Sequence, residues 1–260
     1  MPSKLWLDDL VEALGPPYKG VAGHHNVTYA DNAIITKHSI DNSTLFEVVW
    51  GIGATITLSP LHQRRINFVA MHLNYRAYGP YAANNKAVRT EAHLRRSEHN
   101  LAGLGRQQNM EELLRHTQFQ AFLNETDAVP TMIAGDFNTP SHLDWVEENR
   151  HLHGGWVFEW PCTKMLEGAG FTDSFRHIHP NVTAVPGLTW SPVAKNTGPE
   201  WDWLLEEPQD RVDFIFYKGG MNAVESEMYS GGVELQPVPN HVHNDYPSDH
   251  SALYTLFEFN

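Results

Sequence analysis

Cysteine is almost missing from these 260 residues. Cys162 stands alone, so no internal disulfide braces the fold, and a lone thiol of this kind reads as a small buried hydrophobe. Long apolar runs are missing too, and none is long enough to cross a bilayer as a helix. The opening MPSKLWLDDLVEALG lacks a basic segment followed by an apolar one, so it does not read as a signal peptide. Basic residues are scarce: 18 Lys and Arg stand against 31 Asp and Glu, a formal net charge of -13. That argues against tight, sequence-blind binding to duplex DNA, which needs Lys and Arg to displace counterions. It leaves room for a local acidic site that recruits metal cations, with solubility as the ordinary reason for the excess. No Gly/Ser linker and no fixed-period repeat interrupts the chain, so residues 1–260 read as one domain. With 41% apolar and 11% aromatic residues it has material for a core. Sequons at Asn26, Asn42, Asn124 and Asn181 carry little weight in so Asn-rich a chain.

What is present is an alternation of strand-like and helix-like runs. Apolar spacing predicts a helix over 4–14, stopped by Gly15-Pro16-Pro17. A short strand is expected at 33–35, and the β-rich runs 45–58 and 65–73 read as an antiparallel pair. The polar stretch 74–108 reads as a long loop containing a helix, of the sort that often carries function. Helical spacing comes next over 106–123, then a strand at 131–136, a short helix at 164–169 ended by Gly170, and strands at 211–219 and 251–259. Strands with interspersed helices suggest packed sheets covered by helices, an α/β sandwich.

The run TMIAGDFNTPSHLDW raises a chemical question. Gly and Pro punctuate a strand end, but they do not require Asp136 and Asn138 there, two positions apart and on one side of a strand. The plain alternative is a turn in which Asp and Asn cap their own backbone. Three further places bear on it. Strand 65–73 ends in Met71-His72-Leu73, although a His at a strand end is more often an ordinary surface residue. Asp213 lies between Val212 and Phe214 in an apolar strand, where a carboxylate is costly unless paired. Asp249-His250 stands just before the final strand, as a general base beside a metal ligand would.

These parts suit phosphoester hydrolysis. A His can take a proton from water, a buried carboxylate can fix its tautomer, and a hard divalent cation held by a few carboxylates can neutralise phosphate charge. The motifs MHL, AGDFNTPSHLDW, PGLTWSP, DRVDFIF and YPSDHSAL, in this order, resemble the endonuclease/exonuclease/phosphatase family, over roughly residues 5–259. The resemblance implies a DNase I-like fold, a four-layer α/β sandwich of two packed, mainly antiparallel or mixed sheets flanked by helices. It implies Mg²⁺ or Mn²⁺ as cofactor and a phosphoester as partner, whether small molecule, lipid head group or nucleic acid. It implies that Asp136 positions the attacking water or metal, that Asn138 holds the phosphate and that His250 is the general base. By the same resemblance Asp213 orients His250, Asp249 sits near the metal, His72 contacts the scissile phosphate and Trp190 lines the cleft. The family's usual strand bearing an Asn and strand ending in Gln-Glu have no counterpart, since MPSKLWLDD matches the family's segment just C-terminal to them. The domain therefore reads as shortened at its N-terminus, with Asp8, Asp9 and Glu12 as a solvated helix face rather than substitute ligands.

Two other readings compete. One is a non-catalytic binding or scaffold member that kept the fold and lost the N-terminal metal ligand. The other is a transition-metal site in HVHNDYPSDH, drawing on His241, His243, Asp245, Asp249 and His250. In the 74–108 insert, Arg76, Lys86, Arg89, Arg95, Arg96 and Arg106 offer contact with an anionic substrate, though a solvated basic face is the commoner role.

Overall fold

The computed structural model describes residues 6–23, 31–99, 105–198, 202 and 204–260. Ten strands and seven α-helices are seen among them. Helix α1 (Trp6–Leu14) precedes β1 (Lys19–Gly23) and β2 (Asn32–Thr36), which pair antiparallel as a ribbon. Strands β3 (Ser39–Val48), β4 (Gly51–Ser59) and β5 (Arg64–His72) form an antiparallel meander. Helices α2 (Gly79–Asn84), α3 (Glu91–His99), α4 (Arg106–Arg115) and α5 (Thr117–Asn124) lead to β6 (Thr131–Asp136). The chain continues through α6 (Pro161–Gly168), β7 (Thr172–Asp173), α7 (Ser174–Ile178), β8 (Asp213–Lys218), β9 (Met221–Tyr229) and β10 (Ala252–Phe259).

A six-stranded mixed sheet in the order β3-β4-β5-β6-β8-β7 is the backbone of the fold. Residues alternate across it as the pleat demands. Val69, Met71, Ile133, Phe214 and Phe216 face helices α4, α5 and α6, where Met110, Leu113, Phe119, Phe122 and Leu166 complete a buried core. Ile66, Phe68, Ala70 and Met132 belong to the opposite face, which carries the apolar clusters of the ribbons. There Ile34 of β2 joins one cluster, and Met221, Ala223 and Phe257 of the antiparallel β9–β10 ribbon join another. Leu7 of α1 packs on Ala22 of β1 outside the first ribbon. The layers are therefore helices, sheet, ribbons and helix. The expected second sheet is seen as two separate two-stranded ribbons rather than one continuous sheet.

Several boundaries differ from expectation. The 45–58 run is not one strand: the chain reverses at Val49-Trp50 and continues as β4. The helix over 106–123 is two, broken at His116, whose backbone is extended and whose side chain caps α5 by accepting from the Gln118 N–H. In the insert Arg106 is buried, so it is no substrate contact. Its guanidinium pairs with Glu98 and donates to the carbonyls of Asn74, Arg76, Ala77 and Ser97, pinning the segment together. Cys162 is buried and unpaired, as its isolation in the sequence suggested. No helix of the described residues is long and apolar enough to cross a membrane.

Candidate active site

Strand register assembles the site. Parallel pairing of β5 with β6 sets His72 opposite Asp136, and antiparallel pairing of β6 with β8 sets Asp136 opposite Asp213. Three predicted residues thus share one row across the three central strands. Gly135 makes the row possible: its φ is 143°, and a Cβ there would lie 1.8 Å from the Met71 carbonyl oxygen. His250 enters from the turn before β10, joined to the row through backbone bridges from Trp190 to both His250 and Asp210.

The side chains converge on Asp136. His250 Nδ1 is 2.8 Å from Asp213 Oδ2, which fixes the ring, and its Nε2 faces Asp136 Oδ2 at 3.9 Å. His72 repeats the pattern with Nδ1 3.1 Å from Asp31 Oδ1 and Nε2 3.6 Å from Asp136 Oδ2. Asn138, at φ 48°, donates its backbone N–H to Asp136 Oδ1 at 2.7 Å, so the capping turn is real. Its amide Nδ2 donates to the Leu73 carbonyl at 2.9 Å and to Asp136 Oδ2 at 3.1 Å. Both amide hydrogens are therefore taken, and the side chain fixes Asp136 rather than presenting a free donor to a phosphate.

Burial, and next the facing charge of Asp213, push the Asp136 carboxyl up to about 6, against the pull of His250 and His72. For His250 burial disfavours the charged ring, but the bond to Asp213 and the charges of Asp213, Asp136 and Asp249 outweigh it and raise the imidazole to about 9. Asp136, Asp213 and His250 form the group among the described residues whose ligand atoms, all within 4.8 Å of one another, can share a cation. Two carboxylates crowded together in a half-buried site, one already raised by the other, are a donor set that a hard divalent ion relieves. Asp249 does not join this group: its side chain is exposed, and its carbonyl accepts from Ser191 Oγ. Asp8, Asp9, Glu12, His241, His243 and Asp245 are also exposed and outside it, so the His-rich turn is not a gathered zinc site.

A cleft of about 230 Å³ opens beside His250 and Asn138. Trp190 lines it, its ring 4.8 Å from that of His250. Tyr75, Tyr78, Tyr81 and Glu207 line it too, and the sequence had not singled them out. Behind the site lies a buried ionic lattice. Arg211 bonds Asp144 through Nε at 2.9 Å and Asp173 through Nη1 at 2.7 Å, and Arg176 Nε meets Asp144 at 2.6 Å. This accounts for the Asp of PSHLDW and the Arg of DRVDFIF, which anchor the 141–145 and 211–213 segments to each other.

A mixed sheet sandwiched between helices and ribbons is the fold of the DNase I-like proteins. The chain belongs to the Endonuclease/Exonuclease/phosphatase family, whose model matches residues 3–250. An uncharacterized protein of Caenorhabditis elegans is 42% identical over 251 residues, covering 96% of this chain and 77% of that protein. The human nocturnin catalytic domain, solved with a bound sulfate, shares the fold with a TM-score of 0.51 at 16% identity, over 97% of this chain and 75% of that one. A mannosyl-6-phosphatase of Bacteroides thetaiotaomicron does so with a TM-score of 0.51 at 13% identity, over 97% and 81%.

Proposed function

We propose that this protein is a metal-dependent phosphoester hydrolase with His250 as general base. The observation that carries the reading is the Asp213–His250–Asp136 alignment. Asp213 holds Nδ1, which leaves Nε2 open toward the one carboxylate oxygen that both histidines address. A water lodged between Nε2 and Asp136 would lose its proton to His250 as its oxygen attacks phosphorus, the ester P–O bond would break with the alkoxide leaving and taking a proton from solvent, and Asp213 would stabilise the imidazolium that forms. Asn138 keeps Asp136 in place, and His72, steadied by Asp31, stands where it can meet the phosphate. Asp136 and Asp213 are the oxygen donors that would hold Mg²⁺ or Mn²⁺, which when bound supplies charge neutralisation at the phosphate. The substrate is a phosphodiester or phosphomonoester. The family match and the hydrolase named among its structural relatives support this over a purely binding role.

The test is turnover of bis(p-nitrophenyl) phosphate with Mg²⁺ or Mn²⁺, with chelator, and with His250→Ala. Metal-dependent turnover that disappears in the variant supports the reading. A folded chain that binds metal and turns over neither this diester nor p-nitrophenyl phosphate would favour the scaffold alternative.

A further inference from the structure

The cleft beside His250 has walls that the hydrolytic step does not use. They are aromatic, and the polar tips of those aromatics point away into the protein. Tyr81 Oη donates to the Glu207 carboxylate at 2.6 and 2.7 Å, and Trp190 Nε1 donates to Glu207 Oε1 at 2.7 Å. Tyr78 Oη donates to Asp210 Oδ2 at 2.7 Å, and Trp145 Nε1 reaches Oδ1 of the same carboxylate at 2.8 Å. With these tips engaged, what Tyr78, Tyr81 and Trp190 offer a ligand is ring surface. The Tyr78 and Tyr81 rings stand at 81° with centroids 5.7 Å apart, as two walls of a corner. A flat base slotted between plates needs parallel faces, whereas a corner suits a compact, rounded group.

At the ring end of the cleft the charged groups are two carboxylates, while the cationic group, His250, stands at the other end where the phosphate would lie. Glu207 and Asp210 are 6% and 3% exposed. Among the described residues neither carboxylate has a Lys or Arg within ion-pair distance, although buried carboxylates ordinarily require a partner. His153 Nδ1 lies 3.8 Å from Asp210 Oδ1, and burial lowers that imidazole to about 4, so it stays neutral. Aromatic faces carry negative potential, and here uncompensated anions reinforce it. At the mouth, Arg76 already rests over the Tyr75 ring at 5.7 Å, a cation on an aromatic face.

We propose that this cleft is a subsite for a quaternary ammonium group of the choline type, carried on an ester arm of the substrate phosphate. The proposal rests on the hydrolase reading only for placing that phosphate beside His250. A quaternary ammonium has no N–H to donate, which matches walls whose polar tips are already engaged, and it takes its binding energy from ring faces and diffuse charge. A primary ammonium or a guanidinium would bring donors that the ring surface leaves unmet.

The test begins on the intact wild-type chain, so misfolding cannot obscure it. Choline, its uncharged isostere 3,3-dimethylbutan-1-ol and adenosine monophosphate are titrated by saturation-transfer NMR. Choline is expected to bind at least about tenfold tighter than the isostere, and Glu207→Gln, checked for native circular dichroism, to weaken choline about tenfold. Equal binding of the isostere, or tighter binding of the nucleotide, would overturn the subsite. A second arm compares p-nitrophenyl phosphorylcholine with bis(p-nitrophenyl) phosphate. Choline binding with no turnover of either ester sinks the hydrolase reading and keeps the subsite. Turnover of the bis-nitrophenyl ester without choline binding or competition does the reverse. Turnover of glycerophosphocholine or of lysophosphatidylcholine micelles upholds the assignment and tells a soluble source from a lipid one, whereas turnover of no phosphocholine ester by an otherwise active enzyme overturns it.

Discussion

His72 and His250 aim their Nε2 atoms at the same oxygen, Oδ2 of Asp136, at 3.6 and 3.9 Å, and each is held from behind by its own aspartate. In the proposed reading Asp136 is thus the hub on which base, phosphate contact and cation would depend together. Asp136→Asn keeps the shape and removes the charge. Calorimetric titration with Mn²⁺ is expected to show affinity lower by at least about tenfold, with turnover reduced by about a hundredfold or more. Unchanged Mn²⁺ affinity would remove Asp136 from the ligand set.

The Asp213–His250 pair sets a pH dependence with a definite sign. Asp213 raises the imidazole, and only the unprotonated ring accepts a proton from water, so if His250 is the base, activity is expected to rise with pH through the His250 titration. Asp213→Asn withdraws the raising charge, so the acid limb of kcat/KM is expected to move to lower pH while kcat falls about 10²- to 10⁴-fold from loss of tautomer control. An acid limb that stays in place in this variant would mean that another group titrates.

The buried arginine lattice predicts a stability effect from residues that touch neither the cleft nor Asp136. Arg211 is 1% exposed and holds both Asp144 and Asp173. Arg211→Leu leaves buried Asp173 without a cation and Asp144 with Arg176 alone, and is expected to cost about 3–5 kcal/mol by urea unfolding. A loss under about 1 kcal/mol would show that the lattice relaxes freely.

His153 offers a complementary pH test of folding. Its ring stacks on Trp145 at 4.3 Å, and burial lowers its pKa from 6.5 to about 4. The unfolded chain therefore binds a proton below pH 6.5 that the folded chain refuses until about pH 4, and stability falls as pH falls through that window. Between pH 7 and 5 this one group removes about 2 kcal/mol. In His153→Phe the loss over the same interval is expected to shrink by about that amount. Asp210, pushed up to about 6 by burial, works in the opposite direction and lies 3.8 Å from His153, so the comparison is made in an Asp210→Asn background.

Much of the site was legible because its parts end strands. His72, Asp136 and Asp213 each stand at a limit of a strongly apolar run, and periodicity alone locates those runs at β5, β6 and β8. Asp213 was conspicuous for being charged where burial is costly. Asp31 gave no such signal, since nothing beside it marks it as the partner of His72. Tyr78 and Tyr81 lay in a stretch whose charges drew notice, and their link to Glu207 and Asp210 spans more than a hundred positions. The hairpin at Val49-Trp50 escaped because it lacks the usual Asn-Gly or Asp-Gly turn, and β9 because the polar residues Glu225, Ser226 and Glu227 break its apolar alternation.

The β9–β10 ribbon has a consequence for how the enzyme would fail. Asp136 and Asp213 sit on central strands, but His250 depends on a ribbon that is separate from the sheet and is tied to it by contacts such as Ser174 Oγ–Thr255 Oγ1 at 2.9 Å. The constellation therefore draws on two separate sheets, joined at His250 by its bond to Asp213 and its bridge to Trp190. A sub-global opening of the C-terminal ribbon would detach the base while the sheet stays native. Amide exchange along 252–259 is then expected to keep time with loss of activity, and tightening that seam to lengthen the working life of the proposed enzyme without altering His72, Asp136 or Asp213.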